Sequence, residues 1–156
     1  MMNTIHISNL QRREIQAQIS VCLLRNFIDE IGYDKAMEVA MAAIQKDAIE
    51  AGKSMAVKFG GNSIHDLLRL IREVWTEENA LEFTLLEETS QKLSFNVTRC
   101  RYAEMYDRMG IKEFGYCLSC NRDGPLITGF NPRLKLNRTQ TIMQGAPVCD
   151  FRITLE

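Results

Sequence analysis

Histidine is nearly missing from this sequence: His6 and His65 are the only two in 156 residues. His6 stands close to the N-terminus and His65 near a helix start, so a Cys–His or Ser–His catalytic pair is hard to build. An excess of charge is missing too. The formal net charge is −1, which gives no field to draw the chain to nucleic acid or an anionic membrane. No basic tract, acidic tail, internal repeat or low-complexity stretch occurs. No apolar run approaches the ~20 residues that span a bilayer. The opening Met1-Met2-Asn3-Thr4-Ile5-His6 lacks the charged-then-apolar pattern of an export signal. Five cysteines, an odd number without such a signal, read as reduced thiols. The expectation is a cytoplasmic protein, a single domain over 1–156, whose partner is a small molecule rather than nucleic acid or membrane. Homo-oligomer formation is left open.

What is present reads as helices first and strands afterwards. Ser8-Asn9-Leu10-Gln11 has the form of a capping box. Leu10, Ile15, Ile19, Cys22, Leu23 and Phe27 then recur at helical spacing, with Gly32 closing the segment. Cys22, on that apolar face, is expected in the core. Asp34 can cap a second helix whose face is Met37, Ala40, Met41, Ile44 and Ala48. It can run to Phe59 although an interior Gly52 costs ~1 kcal/mol against alanine. Ser63 opens a third helix with Ile64, Leu67, Leu68, Ile71 and Trp75 on one side.

The period changes after Thr76. Leu81, Phe83 and Leu85 alternate with polar residues, as do Leu93, Phe95 and Val97, and both runs predict strands. Tyr102, Met105, Tyr106 and Met109 return to helical spacing. A last pair of strands is expected at about 134–142 and 148–155, joined hairpin-fashion through Met143–Pro147. The fold class is therefore α+β: N-terminal amphipathic helices (8–76) packed on a mainly antiparallel sheet of about four strands (80–156) that ends in a β-hairpin.

Polar residues with little structural purpose gather after residue 95, so the chemistry is expected there. Asn96, Thr98 and, if the strand persists, Cys100 share the face opposite Phe95, with Arg99 and Arg101 beside the cysteine. Cys120, Asn121, Arg122 and Asp123 form a polar knot. Arg138 precedes Thr139-Gln140-Thr141, and Cys149, Asp150 and Arg152 lie on the last strand. Each has a plainer reading. Asn96 and Thr98 fit a solvated sheet face, Arg101, Glu104 and Arg108 fit helix-surface ion pairs, and Asp123 before Gly124-Pro125 fits a turn or helix cap. Cys149 shares its face with Phe151 and Ile153 and fits a buried, inert thiol. A nucleophilic cysteine must be ionised, and an arginine-rich setting lowers a thiol pKa from its usual ~8.5. Cys120 and Cys149 are preferred because each has an acid and an arginine within two or three residues. No cofactor is expected. Zinc on Cys117-x-x-Cys120, with Cys100 and Cys149 as further ligands, is the weaker alternative, since structural zinc sites usually pair two close clusters.

Three separated segments resemble the L-2-amino-thiazoline-4-carboxylic acid hydrolase family. They are Phe95-Asn96-Val97-Thr98-Arg99-Cys100-Arg101-Tyr102-Ala103-Glu104; Ser119-Cys120-Asn121-Arg122-Asp123 with Gly129-Phe130-Asn131-Pro132; and Arg138-Thr139-Gln140-Thr141-Ile142-Met143 followed by Gly145-Ala146 and Cys149-Asp150-Phe151-Arg152. The resemblance implies hydrolysis of a small carboxylate-bearing ring at a C–N/C–S bond, the founding reaction opening 2-amino-thiazoline to N-carbamoyl-L-cysteine. On that reading Cys120, Cys149, Asp123 and Asp150 are the candidate catalytic groups, the first two or Cys100 as nucleophile or the acids activating water. One of Arg99, Arg101, Arg122 or Arg152 would grip the carboxylate, with Arg138 nearby, and Asn96, Thr98 or Asn121 would donate to the tetrahedral intermediate. The closing Gly145-Ala146-x-x-Cys149-Asp150-Phe151 is also similar to small-molecule-sensing domains named after 4-vinyl reductase. That keeps a non-catalytic, ligand- or metal-binding module as the alternative.

Overall fold

A computed structural model describes residues 5–156; residues 1–4, to which part of the N-terminal reading belongs, lie outside it. Helix α1 (Asn9–Ile31) starts at the expected capping box, with the Ser8 hydroxyl accepting from Gln11 N and the Gln11 side chain accepting from Ser8 N. Gly32, at φ +84°, turns the chain directly into α2 (Tyr33–Phe59). A second capping box, Ser63 with Asp66, starts α3 (Ile64–Leu70), which continues as a π turn over Ile71–Trp75. A short 3₁₀ turn, Glu77–Asn79, then leads into the sheet. Among the described residues no helix is long and apolar enough to cross a membrane.

Strands β1 (Leu81–Glu88) and β2 (Lys92–Cys100) form an antiparallel hairpin, then α4 (Arg101–Arg108), α5 (Gly115–Leu118) and α6 (Asp123–Phe130) follow, and β3 (Leu134–Asn137) and β4 (Cys149–Leu155) close the sheet. The order is β1-β2-β4-β3, antiparallel throughout. Leu93, Phe95 and Val97 of β2 and Phe151 and Ile153 of β4 are buried on the helix-covered face. Phe95 and Phe151 stack with centroids 4.7 Å apart.

Two expectations need correction. The hairpin turn expected at Met143–Pro147 is instead a long excursion. Strand β3 stops at Asn137, and the Asp150 carboxylate captures the chain by accepting from Thr139 N and Gln140 N, both at 2.9 Å. A 3₁₀ turn, Ile142–Gln144, follows, capped by Thr141. The buried face of α1 is also different. Leu10, Ala17, Val21 and Leu24 point inward, while Ile15, Ile19, Leu23 and Phe27 are exposed and Cys22 is exposed with them. The core beneath α1 already holds bulky Tyr102, Met105 and Tyr106 from α4, so small residues on the inward side of α1 let the helices close.

Helix α2 crosses α6 with the two backbones in contact. A Cβ added at Gly52 would overlap the Leu126 carbonyl oxygen and lie 2.7 Å from Phe130 N; one added at Gly129 would lie 2.9 Å from Ile49 Cα. The interior glycine of α2 is thus retained for close approach, against its helix propensity. Gly124, in the first turn of α6, has only ordinary contact with Leu136 at 3.9 Å. Gly52→Ala is expected to destabilise by roughly 2–3 kcal/mol through overpacking, despite the helix-propensity gain of ~1 kcal/mol. Gly124→Ala should be neutral or slightly stabilising. Urea midpoints of the two variants make the comparison, and equal midpoints would contradict the crossing.

Candidate functional site

The core divides into two clusters, one around the sheet with α3 and α6, the other around α1, α4 and α5, and Leu81, Cys100 and Ile142 touch both. At that seam lies a cavity of about 440 Å³. Val97 and Phe151 rise into it from the sheet, and Trp75, Met55 and Leu126 supply apolar wall. Its polar lining includes Cys100, Tyr102, Cys120, Arg122, Asp123, Arg138 and Cys149, joined from the helical half by Arg13 and Asp47.

Local structure explains how each side chain arrives. The β1–β2 register slips between Glu82/Phe83, so that Glu82 faces Arg99 and Phe83 faces Val97, leaving Thr98 as the extra residue of a β-bulge. The bulge inverts the alternation, and Cys100 falls on the cavity side instead of joining Asn96 and Thr98 outside. Its sulfur then caps α4, accepting from Ala103 N at 3.4 Å. Cys120 and Arg122 sit in a 3₁₀ turn leading into α6, whose first residue is Asp123. Arg138, the first residue after β3, reaches back to pair with Asp123 and to donate to the Cys120 carbonyl at 3.0 Å. Its guanidinium lies over the Phe151 ring, 5.0 Å from the centroid. Cys149 opens β4, its sulfur accepting from Ile142 N at 3.2 Å.

The electrostatics differ from the expected activated thiolate. Burial pushes the Cys100 thiol up to about 11 and raises Cys149. Cys120 is raised further, by burial first and then by the Asp123 carboxylate, which Arg138 offsets only in part. Neither arginine invoked to ionise these thiols does so. Arg122 turns to Asp47, its Nη2 donating to Oδ2 at 2.6 Å. Arg152 is on the opposite face of β4 from Cys149, as strand alternation requires. Asp123 lies deep in the fold while presenting part of its carboxylate to the cavity. Burial raises its pKa against the pull of Arg138.

Several candidates stay out of the cavity. Asn96 accepts from Arg152 at 2.9 Å on the outer face of the sheet, and Thr98 bonds the Glu82 carbonyl there. Arg99 is held at the surface between Glu82 and Glu104, and Arg101 donates to the Glu78 carbonyl. Asn121 is buried in structural bonds to Gln45 and the Met41 carbonyl. Asp150 is used in holding the 139–140 loop. Cys117 is buried away from the cavity that Cys120 lines, so the Cys-x-x-Cys pair does not converge. Among the described residues no group of three or more His, Cys, Asp or Glu is placed to hold a metal ion.

Sequence reasoning missed Arg13, Tyr102, Asp47 and the cavity role of Trp75. The polar run Gln11-Arg12-Arg13-Glu14 reads as surface, yet Arg13 stands one turn from both Leu10 and Ala17, on the inward face. The expectation that all chemistry lies late in the chain is widened accordingly.

A family model described as L-2-amino-thiazoline-4-carboxylic acid hydrolase matches residues 12–153. No curated protein matches significantly. Among solved structures, the phenol-responsive sensory domain of the transcription activator PoxR, with phenol, superposes at TM-score 0.54 with 13% identity, over 97% of this chain and 76% of that one. A trafficking protein particle complex subunit 3 from Naegleria fowleri, covalently bound to palmitic acid, gives TM-score 0.54 with 12% identity, over 93% and 95% of the two chains. At such identities the likeness is one of fold.

Two outcomes follow. Cys22 should alkylate rapidly in the folded protein, while Cys117, Cys120 and Cys149 react only on unfolding; mass spectrometry of briefly labelled native protein checks this. Because the Cys100 pKa is raised on folding, its stabilising contribution is complete below the ordinary thiol value of ~8.5 and is lost as pH rises toward the folded value. Unfolding free energy should therefore fall between about pH 8.5 and 11. Cys100→Ala should flatten the fall by about 3 kcal/mol, taking 1.36 kcal/mol per pKa unit. An unchanged slope in the variant counts against the buried, protonated thiol.

Proposed function

Because the chain belongs to the L-2-amino-thiazoline-4-carboxylic acid hydrolase family, its model matching residues 12–153, we propose that it opens a small carboxylate-bearing ring at the C–S bond of a C–N/C–S centre. The observation that carries this reading is a half-buried carboxylate of raised pKa, Asp123, sharing a cavity with three protonated thiols. A raised carboxyl pKa suits proton transfer near neutrality. Water adds to the ring carbon between nitrogen and sulfur, Asp123 taking its proton. The tetrahedral intermediate collapses by breaking the C–S bond, one proton going to the leaving sulfur and one to the ring nitrogen. With L-2-amino-thiazoline-4-carboxylate the product is N-carbamoyl-L-cysteine. Arg138 holds Asp123 in place, and the Cys120 thiol, kept protonated by burial, is a donor toward the leaving sulfur. Water attack is favoured over covalent catalysis because no neighbour ionises the cysteines. Asp150 has no part in this scheme.

Two features also support a binding module: Asp123 is already ion-paired, and the cavity is walled by apolar and aromatic side chains. A single experiment divides the two. Incubation with L-2-amino-thiazoline-4-carboxylate should release one thiol per turnover, with the product identified by mass spectrometry. Asp123→Asn should lower kcat by 10²-fold or more, the range for loss of an acid–base group, and Cys120→Ala by less. Saturable binding without thiol release would leave the sensor reading in its place.

A further inference from the structure

Resting on that reading, we infer that Arg13 and Arg122, with the Tyr102 hydroxyl, form the subsite that holds the substrate's carboxylate. The three come from α1, the turn before α6 and α4, and all line the cavity. Arg122 is buried and its Nε is the one buried side-chain nitrogen or oxygen without a partner among the described residues. Its other contact, Asp47, is largely exposed, so that ion pair is bathed in solvent at one end. Arg13 donates to the Gln16 side chain at 2.7 Å and has no carboxylate within ion-pair distance among the described residues. Tyr102 accepts from Asn9 at 2.8 Å, which leaves its own O–H free to donate.

Two guanidiniums therefore stand at one cavity end against a single, exposed carboxylate. Burial first, and then the neighbouring Arg122 cation, depress Arg13 to about 10. A desolvated cation beside another cation is unfavourable until an anion joins them. The remaining charges facing the cavity change little: Arg138 is spent on Asp123, and the exposed Arg12 and Lys58 are matched in number by Glu73 and Glu77, whose own partners are Arg69 and His6. One unmatched positive charge and a fork of N–H donors fit a monoanionic, planar carboxylate. Position fits as well. Arg122 and Asp123 are consecutive, so the anion would lie next to the reacting groups, as a compact ring with its carboxylate a few bonds from the scissile carbon requires.

The test uses N-carbamoyl-L-cysteine and N-carbamoylcysteamine, which differ only in the carboxylate, titrated calorimetrically into the full-length protein. Wild type should bind the acid at least tenfold more tightly. Arg13→Gln should abolish that preference while leaving the affinity for the cysteamine compound unchanged, and Arg99→Gln, at the outer surface, should behave as wild type. Arg13→Gln should also keep or raise Tm, because it removes a half-buried cation that faces the Arg122 cation with no carboxylate of its own; a structural arginine would lower it. Loss of the carboxylate preference on Arg13→Gln without any thiol release in turnover assays keeps the subsite and sinks the hydrolase. Turnover with a preference indifferent to Arg13, or no preference in wild type, overturns the subsite.

Discussion

Helices α2 and α6 touch backbone to backbone, and that approach sets the height of everything mounted on α6. Gly52 and Gly129 each occupy a point where a single Cβ would meet main-chain atoms of the other helix. Main chain cannot rotate out of the way as a side chain can, so the separation is fixed to within tenths of an ångström. Asp123 starts α6, and Cys120 and Arg122 precede it by less than a turn. The distance from these groups to Cys149 and Phe151 on the sheet is thereby governed by two residues that make no contact with a ligand. Helix α6 also packs on β3, so the sheet edge that launches Arg138 is tied to the same crossing.

The cavity's chemistry follows from burial more than from neighbouring charge. Arginines close in sequence to Cys120 and Cys149 are not close to their sulfurs, because strand alternation sends Arg152 to the far face and the 3₁₀ turn aims Arg122 at Asp47. Around the sulfurs, apolar side chain and the Asp123 carboxylate favour the neutral thiol, and the Arg138 cation opposes them without outweighing burial. The same desolvation that silences the thiols lifts Asp123 toward a working range for proton transfer. One environment thus assigns opposite prospects to two kinds of acid.

The order of the three long helices and four strands, the capping box at Ser8, the helix start at Ser63, the switch from helical to alternating period after Thr76 and the inward faces of α3, α4, β2 and β4 were legible in the residues, whereas α6 was read as a turn. They rest on local propensities that the tertiary structure reinforces. The face of α1 was not, since Ile15, Ile19, Leu23 and Phe27 outweigh Ala17 and Val21 by any measure of hydrophobicity. Only the bulk of Tyr102 and Tyr106 beneath explains why small residues turn inward. Half the site was legible as residue type: Cys100, Cys120, Cys149, Asp123, Arg122 and Arg138 do line one cavity. The remainder was hidden by geometry that spacing does not encode. A bulge at Thr98 redirects Cys100, an eleven-residue excursion replaces a tight turn, and Arg13 faces the cavity from within a run of polar residues that looks solvated.

The Asp123–Arg138 pair ties two distant stretches of chain into one unit of inheritance. Removing either partner leaves a charge stranded away from water, at a cost of about 3–5 kcal/mol, comparable to a large share of a domain's whole stability. Divergence at one position is therefore conditional on the other, and a lineage that alters the pair must cross an unstable intermediate or change both residues together. Positions 123 and 138 should drift as a couple through the family, while the exposed arginines at 99, 108 and 133 are free to vary singly. Epistasis of this kind preserves a site's architecture even where its substrate changes.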